Sequence, residues 1–339
     1  MGSNAIVLGA LLCAVAGCSP ALPSASDPAT PTPSTTQLPP SPIVPTSSGS
    51  PQASPPRGRS FTVVRLALNL PVGRSRATAF VQGSTLLVCG GLTTAGGTTG
   101  SILQIRLDTG RVVALGALAV PVHDAGGAVL GGAGFVFGGG RTVAGQRVQR
   151  IDAAGQATLI GSLPAPRADL SAVSVAGEIL LVGGGTPARP DPRLLATTDG
   201  IHFREVARLI VAVRYPAVAV LAGIVYVAGG STPSGETDVI QAIDPVTGVV
   251  RLVGHLPHPI ADATALLVGG SLLLAGGRDG GRVLDELWLI GPGGRSVSNV
   301  GHLPYAVADA AGVTIGGVGY VIGGETNAPI ASIMTISSP

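Results

Sequence analysis

The 339-residue sequence contains no lysine: all 20 of its basic residues are arginine. That absence excludes lysine Schiff-base chemistry and a lysine phosphate clamp. Aromatic residues make up only 3%, with one tryptophan, and charged residues only 11%. At a net charge of +2, with no basic patch interleaved with aromatics, the electrostatic footprint of a nucleic-acid binder is missing. Of three cysteines, Cys13 and Cys18 fall within the first eighteen residues and only Cys89 lies beyond them. A single thiol there cannot form an internal disulfide, and Cys89, set in an apolar run, reads as a small buried hydrophobe. Hydrophobic residues reach 45%, yet past residue 18 no apolar run approaches the ~20 residues of a spanning helix. No G-x-S-x-G, H-E-x-x-H or Walker motif is present. Gly138-Gly139-Gly140 follows a strand-like run, but no helix pattern comes next, which excludes a dinucleotide loop.

What the sequence has in abundance is glycine, and much of it is periodic. Six pairs recur: Gly90-Gly91, Gly138-Gly139, Gly183-Gly184, Gly229-Gly230, Gly276-Gly277 and Gly323-Gly324, at steps of 48, 45, 46, 47 and 47 residues. Each ends a short apolar run such as TLLVCGG or IVYVAGG. A period of this size with strand-like runs marks a repeat architecture. Fourteen residues before each first glycine lie Arg76, Asp124, Asp169, Tyr215, Asp262 and Asp309, four of them identical. That constant offset leaves room for two strands and a tight turn in every copy. After the glycines come a polar loop, a third strand ending near Asp, a turn such as Asp108-Thr109-Gly110, and a fourth strand leading to Leu-Pro. Four antiparallel strands in about 47 residues make one propeller blade.

The two ends complement each other. The last copy supplies three strands, while residues 61–71 match the fourth-strand pattern and precede the first copy. The expected fold is therefore all-β, a six-bladed β-propeller whose ring is closed by an N-terminal strand completing the last blade. A linear β-solenoid is the alternative, but a stack needs no such complementary termini. The glycines are expected where the backbone turns with positive φ or where packing leaves no room for a Cβ.

The pattern resembles the kelch repeat over roughly residues 61–337. The glycine pairs carry the likeness; the fourth-strand tryptophan of that repeat is replaced by Val or Leu, as in Arg111-Val112-Val113, and Trp288 falls on a third strand. Upstream, residues 6–16 form an apolar stretch of signal-peptide length, ending in Val15-Ala16-Gly17-Cys18. That ending resembles the bacterial lipobox, although no Arg or Lys precedes the stretch. The resemblance implies cleavage before Cys18 and lipid attachment to it, anchoring the protein to the membrane outside the cytoplasm. The expected organisation is a lipoprotein signal peptide over 1–17, the lipidated cysteine and a disordered Pro/Ser/Thr-rich tether over 18–58, and the propeller over 59–339.

The six offset residues open the innermost strands, so their side chains should ring one mouth of the central channel, with His123 and Arg214 beside them. One reading is a polar pocket for a ligand such as a sugar, or a hard cation held by carboxylates. The other is structural, each Asp capping backbone amides or pairing with a neighbouring Arg. His255 and His302 recur in matching Gly-His-Leu-Pro turns, which argues for a repeat-structural role rather than a metal pair. No catalytic residue, metal site or cofactor is assigned. Two enzyme families are built on kelch propellers. Copper radical oxidases require a Tyr–Cys pair and two His that have no matching motif here. Six-bladed sialic acid epimerases fit the blade count and export. The reading favoured is a monomeric, membrane-anchored protein- or ligand-binding module with a protein or glycan ligand and no nucleic acid; a carbohydrate-modifying enzyme similar to those epimerases is the alternative.

Overall fold

The computed structural model describes residues 59–140, 144–186 and 188–339; the signal-like stretch, Cys18 and the proline-rich segment lie outside the described residues. Six antiparallel sheets are arranged as a six-bladed β-propeller. The first blade is built from Thr78–Gln82, Thr85–Cys89, Ser101–Arg106 and Arg111–Ala117, in that order from the axis outward. The next four repeat the scheme with innermost strands Gly126–Leu130, Ala168–Val175, Ala217–Leu221 and Thr264–Val268. The sixth sheet takes Ala311–Ile315, Val318–Ile322 and Ser332–Ser337 from the end of the domain and Thr62–Asn69 from its start, the last two pairing antiparallel.

Burial explains the composition of each strand. Second strands lie between neighbouring blades, so Thr85–Cys89 and Ala133–Phe137 are apolar and buried almost throughout. Fourth strands are outermost, and no residue of Val250–His255 is fully buried. Turns between third and fourth strands are set by Asp side chains. Asp152 Oδ1 accepts from the Ala154 and Gln156 N–H groups at 3.0 and 2.9 Å, as Asp244 does from Val246 at 2.9 Å.

The glycine pairs join one blade to the next. The second glycine of each pair donates its N–H to a carbonyl two residues before the next blade's offset position: Gly91 to Val122 (2.8 Å), Gly139 to Arg167 (3.0 Å), Gly184 to Val213 (2.9 Å), Gly230 to Ile260 (2.8 Å) and Gly277 to Val307 (2.9 Å). Gly324 donates to Arg74 of the first blade at 2.8 Å. The same carbonyl crowds the first glycine, whose φ lies between 60° and 66° in all six copies. A Cβ on Gly229 would lie 2.0 Å from the Ile260 oxygen, and one on Gly138 2.1 Å from that of Arg167. Both expected reasons for glycine, positive φ and lack of space, therefore act at once.

Candidate functional site

Where the innermost strands begin, the six offset residues meet. Each adopts a left-handed conformation, with φ from 52° at Tyr215 to 61° at Asp169. Each N–H donates to the carbonyl of the preceding blade's counterpart: Asp124 to Arg76 (3.0 Å), Asp169 to Asp124 (2.8 Å), Tyr215 to Asp169 (2.9 Å), Asp262 to Tyr215 (3.3 Å) and Asp309 to Asp262 (3.0 Å). Arg76 donates to Asp309 at 2.9 Å, which makes the cycle continuous. Asp accepts positive φ more readily than most residues, so its fourfold recurrence has a backbone cause. Arg and Tyr are disfavoured there by about 1 kcal/mol each. Their presence calls for a side-chain reason.

That reason is a contact across the axis. The first and fourth blades stand three steps apart either way round the cycle, and their two exceptions meet over it. Arg76 Nη1 lies 3.4 Å from the Tyr215 hydroxyl, with its guanidinium 5.8 Å from the ring centroid. Arg214 lies 4.9 Å from the same ring and binds Asp169 through Nε at 2.5 Å and through a second nitrogen. Arg76 reaches Asp124 at 3.4 Å and both Asp309 and Glu325 at 3.7 Å. Arg278 completes the network with Glu325 at 2.8 Å, Asp309 at 3.2 Å and Asp262 at 3.6 Å. His123 approaches Asp124 at 3.7 Å through Nε2, and its Nδ1 shares a hydrogen bond with Thr98 at 2.9 Å.

Burial sets the protonation of this ring. It raises the Asp124 carboxyl to about 7; the Arg76 charge opposes the rise, and the Asp169 and Asp309 charges add to it. Burial likewise lifts Asp262 to about 6, against the Arg278 charge. Asp309 is pushed well above the carboxylate range by burial and by Asp262 beside it. Tyr215 is pushed up by burial and by the Asp124 and Asp169 charges. Arg76 is firmly charged, because the carboxylates outweigh the cost of its burial. The ring thus offers guanidinium donors together with carboxyls that hold protons near neutrality. It encloses a cavity of about 130 Å³ lined by all six offset residues. Below it runs a shaft walled by small residues, among them Ala77, Gly126, Gly127, Ala172 and Ala265.

All eight residues singled out in the sequence, including His123 and Arg214, come together at this mouth. The expected capping of amides by the aspartates is not what the ring uses: carbonyls satisfy its N–H groups, and the carboxyls pair with arginines instead. Sequence reasoning passes over Arg278 and Glu325, although each directly follows a glycine pair, in a column that otherwise holds Leu92, Gly140, Gly185 and Ser231. His255 and His302 lie outside the ring, exposed, each 3.2 Å from an aspartate of its own blade, Asp238 and Asp285. Cys89 is buried, and among the described residues no group of metal-type ligands converges.

No protein family matches the chain, and no curated protein matches it in sequence. Among solved structures, that of YjhT superposes with a TM-score of 0.68 at 16% identity, over 80% of this chain and 99% of the other. At that identity the likeness establishes the propeller fold and nothing finer.

Proposed function

We propose that this chain is a membrane-tethered propeller of kelch-like repeats, outside the cytoplasm, whose ring mouth binds a small polar ligand of glycan type. The observation that carries the reading is the pair Arg76 and Tyr215. Both sit where the backbone favours Asp, and their side chains converge over a cavity. Ring donors held by contacts of 3.4 Å and longer, as those of Arg76 are, have capacity left for hydroxyl or carbonyl oxygens. A second reading, a carbohydrate-modifying enzyme similar to the kelch sialic acid epimerases, is favoured by Asp124 and Asp262, whose carboxyls exchange protons near neutral pH.

The test is a glycan and metabolite binding screen on the full chain, repeated with Asp124→Asn, Asp169→Asn, Asp262→Asn and Asp309→Asn. Asn tolerates the left-handed conformation as Asp does, so the ring backbone is preserved. Lost binding at an unchanged melting temperature supports a ligand site. A collapsed melting temperature assigns the aspartates to structure, and turnover of a bound sugar selects the enzyme. The tether is tested separately, by loss of fatty-acyl labelling and of membrane association in Cys18→Ser.

A further inference from the structure

A second site lies at the other end of the propeller, between the fourth and fifth blades. There an open cavity of about 710 Å³ is bounded by Ile224, Tyr226, Ala242, Val249 and Val253 of the fourth blade and by Pro292 of the fifth. Arg251 and Arg295 stand on its rim. Three features found together only in this blade make it a site.

The first is the void itself. Tyr226 pairs with Ala242, and Ala242 with Arg251, so the three form one row across the sheet. The residue matching Ala242 is Gln104, Arg150, Leu289 or Thr335 in four other blades, and each is larger. The second is Tyr226. Only 8% exposed, it lines the cavity, and its hydroxyl has no hydrogen-bond partner among the described residues. The third is charge. The third blade carries the same Ala–Arg combination as Ala196 and Arg204, but Arg204 is paired with Glu178 at 2.5 Å. The position of Glu178 is Ile224 in the fourth blade. Arg251 therefore has no internal carboxylate of that kind: its charge acts on the Asp244 carboxylate of the same rim without closing to an ion pair, and Arg295 forms none with a described residue. The rim carboxylate of Asp244 is held by the turn N–H groups of Val246 and Thr247 at 2.9 and 3.3 Å.

We propose that this cavity binds an amphiphilic anion: an apolar chain or ring seated against Ile224, Ala242 and Val253, with a carboxylate or phosphate on Arg251 and Arg295. Arginine is suited to such heads because it offers paired donors in one plane. The size falls within the range of small-molecule sites, ~300–1,000 Å³. Tyr226 supplies a hydroxyl to the head or to an ester oxygen. The inference is independent of the ring mouth, which lies at the opposite end of the strands.

The test is fluorescence titration of the full chain with dansyl-undecanoic acid and with its methyl ester, alongside co-sedimentation with phosphatidylglycerol vesicles. The acid is expected to bind at least tenfold more tightly than the ester. Ile224→Glu, which installs the carboxylate of the third blade, should weaken the acid at least tenfold at an unchanged melting temperature. Ala242→Leu, which installs the side chain that Leu289 supplies in the fifth blade, should abolish binding by filling the void. Binding of the free acid alone makes a soluble amphiphile the ligand; vesicle binding lost in both variants makes it a lipid headgroup. Equal affinity for acid and ester, binding unchanged by both variants, or no binding in either format overturns the proposal.

Discussion

Two glycines of the fourth blade, six residues apart, show how the two ends of the propeller differ. Gly229, at the ring end, has φ 62°, and an added Cβ would press on the Ile260 carbonyl at 2.0 Å. Gly223, in the far-end turn, has φ 79° and would meet nothing within 4 Å. The ring end is a set of backbone-to-backbone clasps that no side chain can enter. The far end needs only turns of the right hand, and blades three and four manage with Ala176 and Ala222 at φ 52° and 51° where others use glycine. Constraint at one end produces the repeat in the sequence; latitude at the other allows a single junction to depart from it and open a cavity.

The largest effect should come from the clasp. Gly229→Ala is expected to destabilise by about 4 kcal/mol or more, because strain adds to a backbone clash. Gly223→Ala should cost only about 1 kcal/mol. Equal midpoint shifts in guanidinium denaturation would remove the distinction between the ends.

The next contrast is in pH dependence. Asp124 and Asp262 hold their protons more tightly folded, at about 7 and 6, than the unfolded value near 4. Their contribution to stability is therefore full below pH 4 and is lost as pH rises through 6 to 7. With about 1.4 kcal/mol for each tenfold change in proton affinity, the loss is on the order of a few kcal/mol. Melting temperatures from pH 4 to 8 should fall, and Asp124→Asn should flatten the fall. Two far-end aspartates, Asp199 and Asp244, carry the opposite sign. His202 and turn N–H groups hold Asp199 low, and Thr247 with Val246 does the same for Asp244, so their contributions are lost only on acidification below pH 4.

A smaller effect, about 2 kcal/mol at pH 8, is expected for Arg76→Gln, which takes the guanidinium partner from Asp124 and leaves Asp309 and Glu325 on Arg278 alone. The figure is set below that of a fully buried pair because the Arg76 side chain is 26% exposed. The same variant should lose less at pH 5, where Asp124 and Asp309 hold protons. The smallest effect should be that of His255→Ala, whose exposed pair with Asp238 is expected to contribute within about 0.5 kcal/mol in thermal denaturation.

The clasp is readable in the sequence because it forbids a side chain outright, and an obligatory glycine leaves a visible period. The offset residues are readable for a related reason, since left-handed backbone selects Asp at four of six positions. The meeting of Arg76 with Tyr215 is not readable: the two are 139 residues apart and joined only by the curvature of the whole ring. Gln149 and Gln241 share one position, in blades two and four, where the other blades hold Leu103, Leu195, Trp288 and Met334, so no regular period marks them. Each buried amide ties its blade to the preceding connection, Gln149 at Val120 and Gln241 at Val211.

Local rules written along the chain are enough for the blade count, the strand order within a blade and the place of each glycine pair, because each depends on φ, alternation and turn chemistry over a few residues. The protonation of the ring, the bridge over its axis and the unpaired arginines beside the blade-four cavity depend on distances between blades. Burial and charge act through space, and those distances exist only once six sheets have been brought around a common axis.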